Sequence, residues 1–118
     1  VEALLRPGVT GRQAHELAEK VLADHGFAGK MGHALGHGVG IDIHEEPVLA
    51  PRNEEPLVEG NVVTVEPGVY CAGEFGMRLE ISGWLPPTGS TSSRNPRMRW
   101  LYCNGLARDR GRGVPPVV

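Results

Sequence analysis

Residues 32–45 read Gly32-His33-Ala34-Leu35-Gly36-His37-Gly38-Val39-Gly40-Ile41-Asp42-Ile43-His44-Glu45, and the organisation of the whole chain turns on this stretch. Five glycines fall between positions 29 and 40, a density that rules out a stable helix. The spacing of His33 and His37 is therefore not the helical HxxxH pair of a zincin. Ile41-Asp42-Ile43-His44 alternates apolar and polar residues, which predicts a strand. His33, His37 and His44 concentrate imidazole, the commonest transition-metal ligand, in one short segment. Taken alone, these histidines fit an ordinary surface loop as well as a metal site. A phosphate-binding reading of the glycines fails, because neither a Lys-Ser/Thr pair nor a helical pattern follows them.

Upstream, Thr10 is a good helix N-cap and Gln13 sits at the capping-box position. Ala14, Leu17, Ala18, Val21 and Leu22 then recur at helical spacing, with Glu16, Glu19, Lys20 and Asp24 on the other face. Gly26 marks the end of that helix. Residues 1–6 read as the tail of an earlier helix stopped by Pro7-Gly8. Downstream, residues 46–60 carry three prolines and four acids and read as a loop. Asn61 to Glu66 is a second strand, with Val63 and Val65 on one face and Val62, Thr64 and Glu66 on the other. Pro67 ends it, and Gly73 to Gly76 reads as a turn. Met77, Leu79 and Ile81 alternate with Arg78 and Glu80 as a third strand.

This pattern puts Glu66 and Glu80 on the polar face of a sheet, with Arg78 beside Glu80. Each has a plainer reading by itself: a strand end facing water, or a surface ion pair. Together with a histidine they make the ligand set expected for Mn²⁺, Fe²⁺, Co²⁺ or Zn²⁺ in a hydrolytic site.

With 40% hydrophobic and 22% charged residues, the 118-residue chain has the composition of a soluble globular protein. Aromatics make up only 5%, so the core must be aliphatic. No apolar run approaches the roughly 18–20 residues of a membrane span, and no signal-peptide pattern opens the chain. Cys71 and Cys103 have no metal-type spacing, and nothing indicates an oxidising compartment, so the cytoplasm is expected. Thirteen of the 14 acidic residues lie in 1–81, whereas 82–118 hold six arginines and only Asp109. After Ser82 no period is sustained. We therefore divide the chain into a folded unit, 1–82, and an irregular Arg/Pro/Gly-rich tail, 83–118. The tail has no nucleic-acid-binding motif, so a solvated tail is the better reading and no nucleic-acid partner is expected.

Three blocks, 32–45, Val-Val-Thr-Val-Glu-Pro-Gly-Val-Tyr at 62–70 and Gly-Met-Arg-Leu-Glu at 76–80, together resemble the pita-bread metallopeptidases. The first histidine of HxxxH and Glu-Pro-Gly-x-Tyr resemble the Xaa-Pro aminopeptidase/prolidase branch. The His-Glu-Glu-Pro at 44–47 is shared with methionine aminopeptidases, the nearest alternative enzyme. A non-catalytic pita-bread binding module is a further alternative, disfavoured because every ligand residue expected in the covered region is present. The resemblance implies an α+β class and a partial pita-bread (creatinase/aminopeptidase-like) fold, with a curved antiparallel sheet and flanking helices. It implies metal-dependent hydrolysis of the bond before proline in a peptide substrate, through a metal-activated water. His37, Glu66 and Glu80 would hold the metal, with Glu66 also taking a proton from the water. His44 would stabilise charge on the carbonyl oxygen, and His33 would contact substrate beside the scissile bond. Arg78 would orient a neighbouring carboxylate. Two divalent ions are implied, manganese first, with cobalt or zinc as alternatives, and so is a homodimer.

The family also takes two aspartates from an upstream strand, and Asp24, Asp42 and Asp109 do not occupy those places. Ile81 stands where an acidic residue is usual. A truncated or frame-shifted reading of a longer gene would account for the missing aspartates and the foreign tail. An isolated half of such a sheet is expected to be marginally stable, with exposed apolar surface.

Overall fold

The computed structural model describes residue 1, residues 3–87 and the backbone of residues 99–101. Helix α1 spans Gly11–Asp24 and begins as its sequence requires. The Gln13 backbone N–H donates to the Thr10 hydroxyl at 3.1 Å, and the Thr10 N–H donates to the Gln13 side-chain oxygen at 3.1 Å. At the other end, Gly26 adopts φ +87°. Its N–H bonds to the Ala23 carbonyl and that of Phe27 to the Leu22 carbonyl, closing the helix in a Schellman arrangement. Ala14 and Ala18 are buried, and so is His15, which the apolar period does not include. Val21, expected on the buried face, is exposed.

Seven strands follow among the described residues: β1 Gly36–Gly38, β2 Glu45–Leu49, β3 Val62–Val65, β4 Gly68–Cys71, β5 Phe75–Arg78, β6 Ile81–Trp84 and β7 Arg99–Leu101. Five of them form one antiparallel sheet in the order β2-β1-β3-β6-β7, and β4 and β5 form a separate hairpin. Leu35, Leu49, Leu57, Val63, Val65 and Leu85 pack with Leu5, Met31, Ala14 and Ala18 into one aliphatic core between helix and sheet. Val63 and Val65 face that core, which leaves Thr64 on the opposite face of β3.

Several expectations are corrected. The described residues ahead of Pro7 form turns, with the Leu4 N–H on the Val1 carbonyl, and no helix tail. The strand expected at 41–44 is a bend instead, with Ile41 103% and Ile43 73% exposed. Alternation there has no second apolar layer to bury against. The pairing falls on β1 and β2, and β2 takes in the first four residues of the expected loop 46–60. Pro47 is tolerated in β2 because it is an edge strand. The strand expected through Met77 to Ile81 is broken at Leu79-Glu80: β5 belongs to the hairpin and β6 to the main sheet. β6 ends at Trp84, and Leu85 beside it is 0% exposed in the core. Of the expected irregular tail, residues 88–98 and 102–118, Cys103 among them, lie outside the described residues.

Candidate active site

β1, the bend after it, β2, the end of β3 and the end of β5 surround an open cleft of about 490 Å³. Its lining includes His33, His37, His44, Glu66 and Arg78. The glycines of β1 explain how the walls come so close. A Cβ on Gly36 would overlap the Thr64 carbonyl, and one on Gly38 would overlap the Glu46 carbonyl. β1 is thus pressed against both neighbouring strands, and His37 is carried to the end of β3.

His37 Nε2 lies 3.0 Å from Glu66 Oε1, and both side chains are mostly buried. Glu66 Oε1 also accepts the Thr64 hydroxyl hydrogen at 2.6 Å. Arg78 spans the two glutamates, 3.6 Å from Glu66 Oε2 and 3.5 Å from Glu80 Oε2. The His44 ring stands 4.3 Å from that of His37, centroid to centroid. His33 is set apart, its ring meeting Tyr70 edge-on at 5.5 Å. The structure thus joins His37 to Glu66 directly and reaches Glu80 only through Arg78. No group of three or more His, Cys, Asp or Glu donors gathers among the described residues.

Both histidines of the HxxxH pair use one device. His33 Nδ1 lies 2.6 Å from the Ala34 carbonyl, and His37 Nδ1 lies 2.9 Å from the Gly38 carbonyl. A carbonyl only accepts, so each Nδ1 carries its hydrogen and each neutral ring keeps a lone pair on Nε2. The Nε2 of His33 is buried and has no protein partner. The Nε2 of His37 faces a carboxylate oxygen. Two acceptors 3.0 Å apart need a positive centre beside them, which a proton or a metal ion supplies. Imidazole nitrogen and carboxylate oxygen suit a divalent transition metal, so the pair fits one edge of a coordination sphere.

Sequence reasoning missed Thr64 as part of the site and missed the lining residues Glu45 and Glu46. Thr64 could have been found, because it lies two positions before Glu66 on a strand and so shares its face. It also missed Gly68, whose absent Cβ leaves room for His33 Nε2 and the Tyr70 ring. Cys71 is a free thiol. No described helix is long and apolar enough to cross a membrane.

A model of metallopeptidase family M24 matches residues 1–83. The chain is 36% identical over 85 residues to an Xaa-Pro dipeptidase of Pyrococcus horikoshii, covering 72% of this chain and 24% of that protein. The structure of an X-Pro aminopeptidase from Thermotoga maritima matches with a TM-score of 0.74 at 34% identity, over 84% of this chain and 26% of that one. An X-prolyl aminopeptidase from Caenorhabditis elegans, described as a cytosolic enzyme with a di-nuclear active site, matches with a TM-score of 0.62 at 25% identity, over 82% of this chain and 16% of that one. The chain spans about a quarter of the length of the curated relatives it matches. The α+β antiparallel architecture expected above is that of a partial pita-bread fold, with one helix among the described residues.

Proposed function

This chain belongs to metallopeptidase family M24, in its Xaa-Pro branch, and from that premise we propose that its cleft is part of a site hydrolysing the peptide bond before proline. The observation that carries this reading is the His37–Glu66 contact of 3.0 Å within a cleft that also holds His33, His44 and Arg78. His37, Glu66 and Glu80 are the residues that would hold divalent ions, with manganese, cobalt and zinc as the candidates. Such ions, when bound, polarise a peptide carbonyl and make water nucleophilic near neutral pH.

The chain's own residues divide the remaining work. Glu66, held by Thr64 and His37, is placed to accept a proton at Oε1 or Oε2. His33, in the cleft lining, would contact the peptide substrate beside the scissile bond. His44, exposed at the cleft wall, is free to hydrogen-bond the carbonyl oxygen as charge develops there. Arg78 holds Glu66 and Glu80 in register from the hairpin side. A homodimeric, cytoplasmic protein completes the proposal.

Calorimetric titration of Mn²⁺ and Co²⁺ into the chain, beside His37→Ala and Glu80→Ala, tests it. Stoichiometric binding lost in both variants supports the reading, and hydrolysis of an Xaa-Pro dipeptide is then the next assay. Binding that survives both substitutions would place the metal elsewhere and sink the ligand assignment.

A further inference from the structure

We propose that Thr64 is a positioning residue: one buried hydroxyl sets His37 and Glu66 at their working separation. The proposal rests on the reading of the cleft given above and deepens it. Thr64 is 2% exposed. Its hydroxyl oxygen lies 2.6 Å from Glu66 Oε1 and 3.1 Å from the His37 backbone nitrogen. Atom types and distances fix the directions of both bonds. An amide N–H only donates, so the hydroxyl receives from His37; its single hydrogen goes to the Glu66 carboxylate at 2.6 Å in preference to the His37 carbonyl, the other acceptor in reach at 3.4 Å.

The strand ladder makes this hydroxyl necessary. On either side of His37 the β1–β3 pairing is ordinary: the Val39 N–H bonds to the Val62 carbonyl at 3.0 Å, and the Glu66 N–H to the Leu35 carbonyl at 2.6 Å. The His37 N–H between them meets the Thr64 side chain instead of a strand carbonyl. Gly36 permits the approach, since a Cβ there would overlap the Thr64 backbone. Glu66 lies two residues beyond Thr64 on the same face, so the hydroxyl reaches its carboxylate without a turn in the chain. The spacing of two strands is thereby passed to the orientation of a carboxylate. A bond from a neutral donor to a buried carboxylate is short and directional, which fixes Oε1 opposite His37 Nε2.

Thr64→Val keeps the shape and removes the hydroxyl, and Thr64→Ser keeps the hydroxyl and removes the methyl. Two readouts are compared in the full chain: calorimetric Co²⁺ affinity with the visible Co²⁺ spectrum, and amide hydrogen exchange. Thr64→Ser should match the unsubstituted chain. Thr64→Val should bind Co²⁺ about tenfold more weakly with an altered spectrum. It should also speed exchange at the His37 amide about tenfold while leaving Val39 and Glu66 protected, a selectivity that general loosening would not give. Unchanged Co²⁺ affinity in Thr64→Val would overturn the proposal. If the unsubstituted chain binds no Co²⁺ at millimolar concentration, the metal reading fails for this chain and exchange alone decides. Selective loss of protection at His37 then upholds the positioning role, and no change removes it. Should Thr64→Val not fold, proton spectra of the unsubstituted chain decide: a slowly exchanging Thr64 hydroxyl resonance with a cross-peak to the His37 amide is expected, and its absence overturns the proposal.

Discussion

Gly36 and Thr64 approach so closely that a methyl group on Gly36 would overlap the Thr64 carbonyl. The contact is between neighbouring strands, not within a turn, so the glycine is needed for room and not for its dihedral freedom. Gly36→Ala should therefore force β1 from β3 and destabilise the fold by about 2 kcal/mol, as overpacking does. Urea unfolding of the variant beside the unsubstituted chain measures this, and equal midpoints would refute it.

Thr10→Ala should cost about 1 kcal/mol, because it removes the acceptor of the Gln13 N–H at the start of α1. The effect should appear as a lowered thermal midpoint. Thr10→Ser, which keeps the oxygen, should recover most of the loss.

Leu85→Ala probes where the folded unit ends. Leu85 is fully buried although it lies beyond the boundary expected from composition. Truncation there should destabilise by about 3 kcal/mol, within the range of buried leucine-to-alanine changes. A loss below about 0.5 kcal/mol, the size of an ordinary surface change, would place Leu85 outside the cooperatively folded unit.

Phe75→Ala should loosen the β4–β5 hairpin alone. The Phe75 ring meets Phe27 edge-on at 6.2 Å, and the Tyr70 N–H bonds to the Lys30 carbonyl beside it. Loss of the ring contact, worth about 1 kcal/mol, should speed amide exchange in the hairpin several-fold. Exchange in β3 and β6 should not change, and a uniform increase would show that the hairpin is not a separate unit.

The helix was legible because its signals are local: a threonine, a glutamine three residues on, and a glycine after the last turn. β3 was legible for the same reason, from its valines and the proline after Glu66. The hairpin was not. Leu79 and Glu80 continue the alternation of the preceding residues, so nothing in composition marks the break. It is set by pairing of Gly68 with Arg78 and of Val65 with Ile81, which belong to different sheets. Ile41 and Ile43 misled in the opposite sense, since alternation predicts a strand only where a face can be buried. In the site, the residue types of His37 and Glu66 were readable from motif resemblance. Their contact, and the hydroxyl that holds it, depend on how closely two glycine-relieved strands approach.

The paired Nδ1–carbonyl bonds of His33 and His37 also set the chemical taste of the cleft. With both Nδ1 atoms tied to carbonyls, and with Glu45, Glu46 and Glu66 against Arg78 in the lining, the cleft carries more carboxylate than guanidinium charge. It favours electron-poor guests: hard cations, an ammonium group, an amide hydrogen. Phosphate or free carboxylate would meet like charge there, so anionic buffers should bind it weakly.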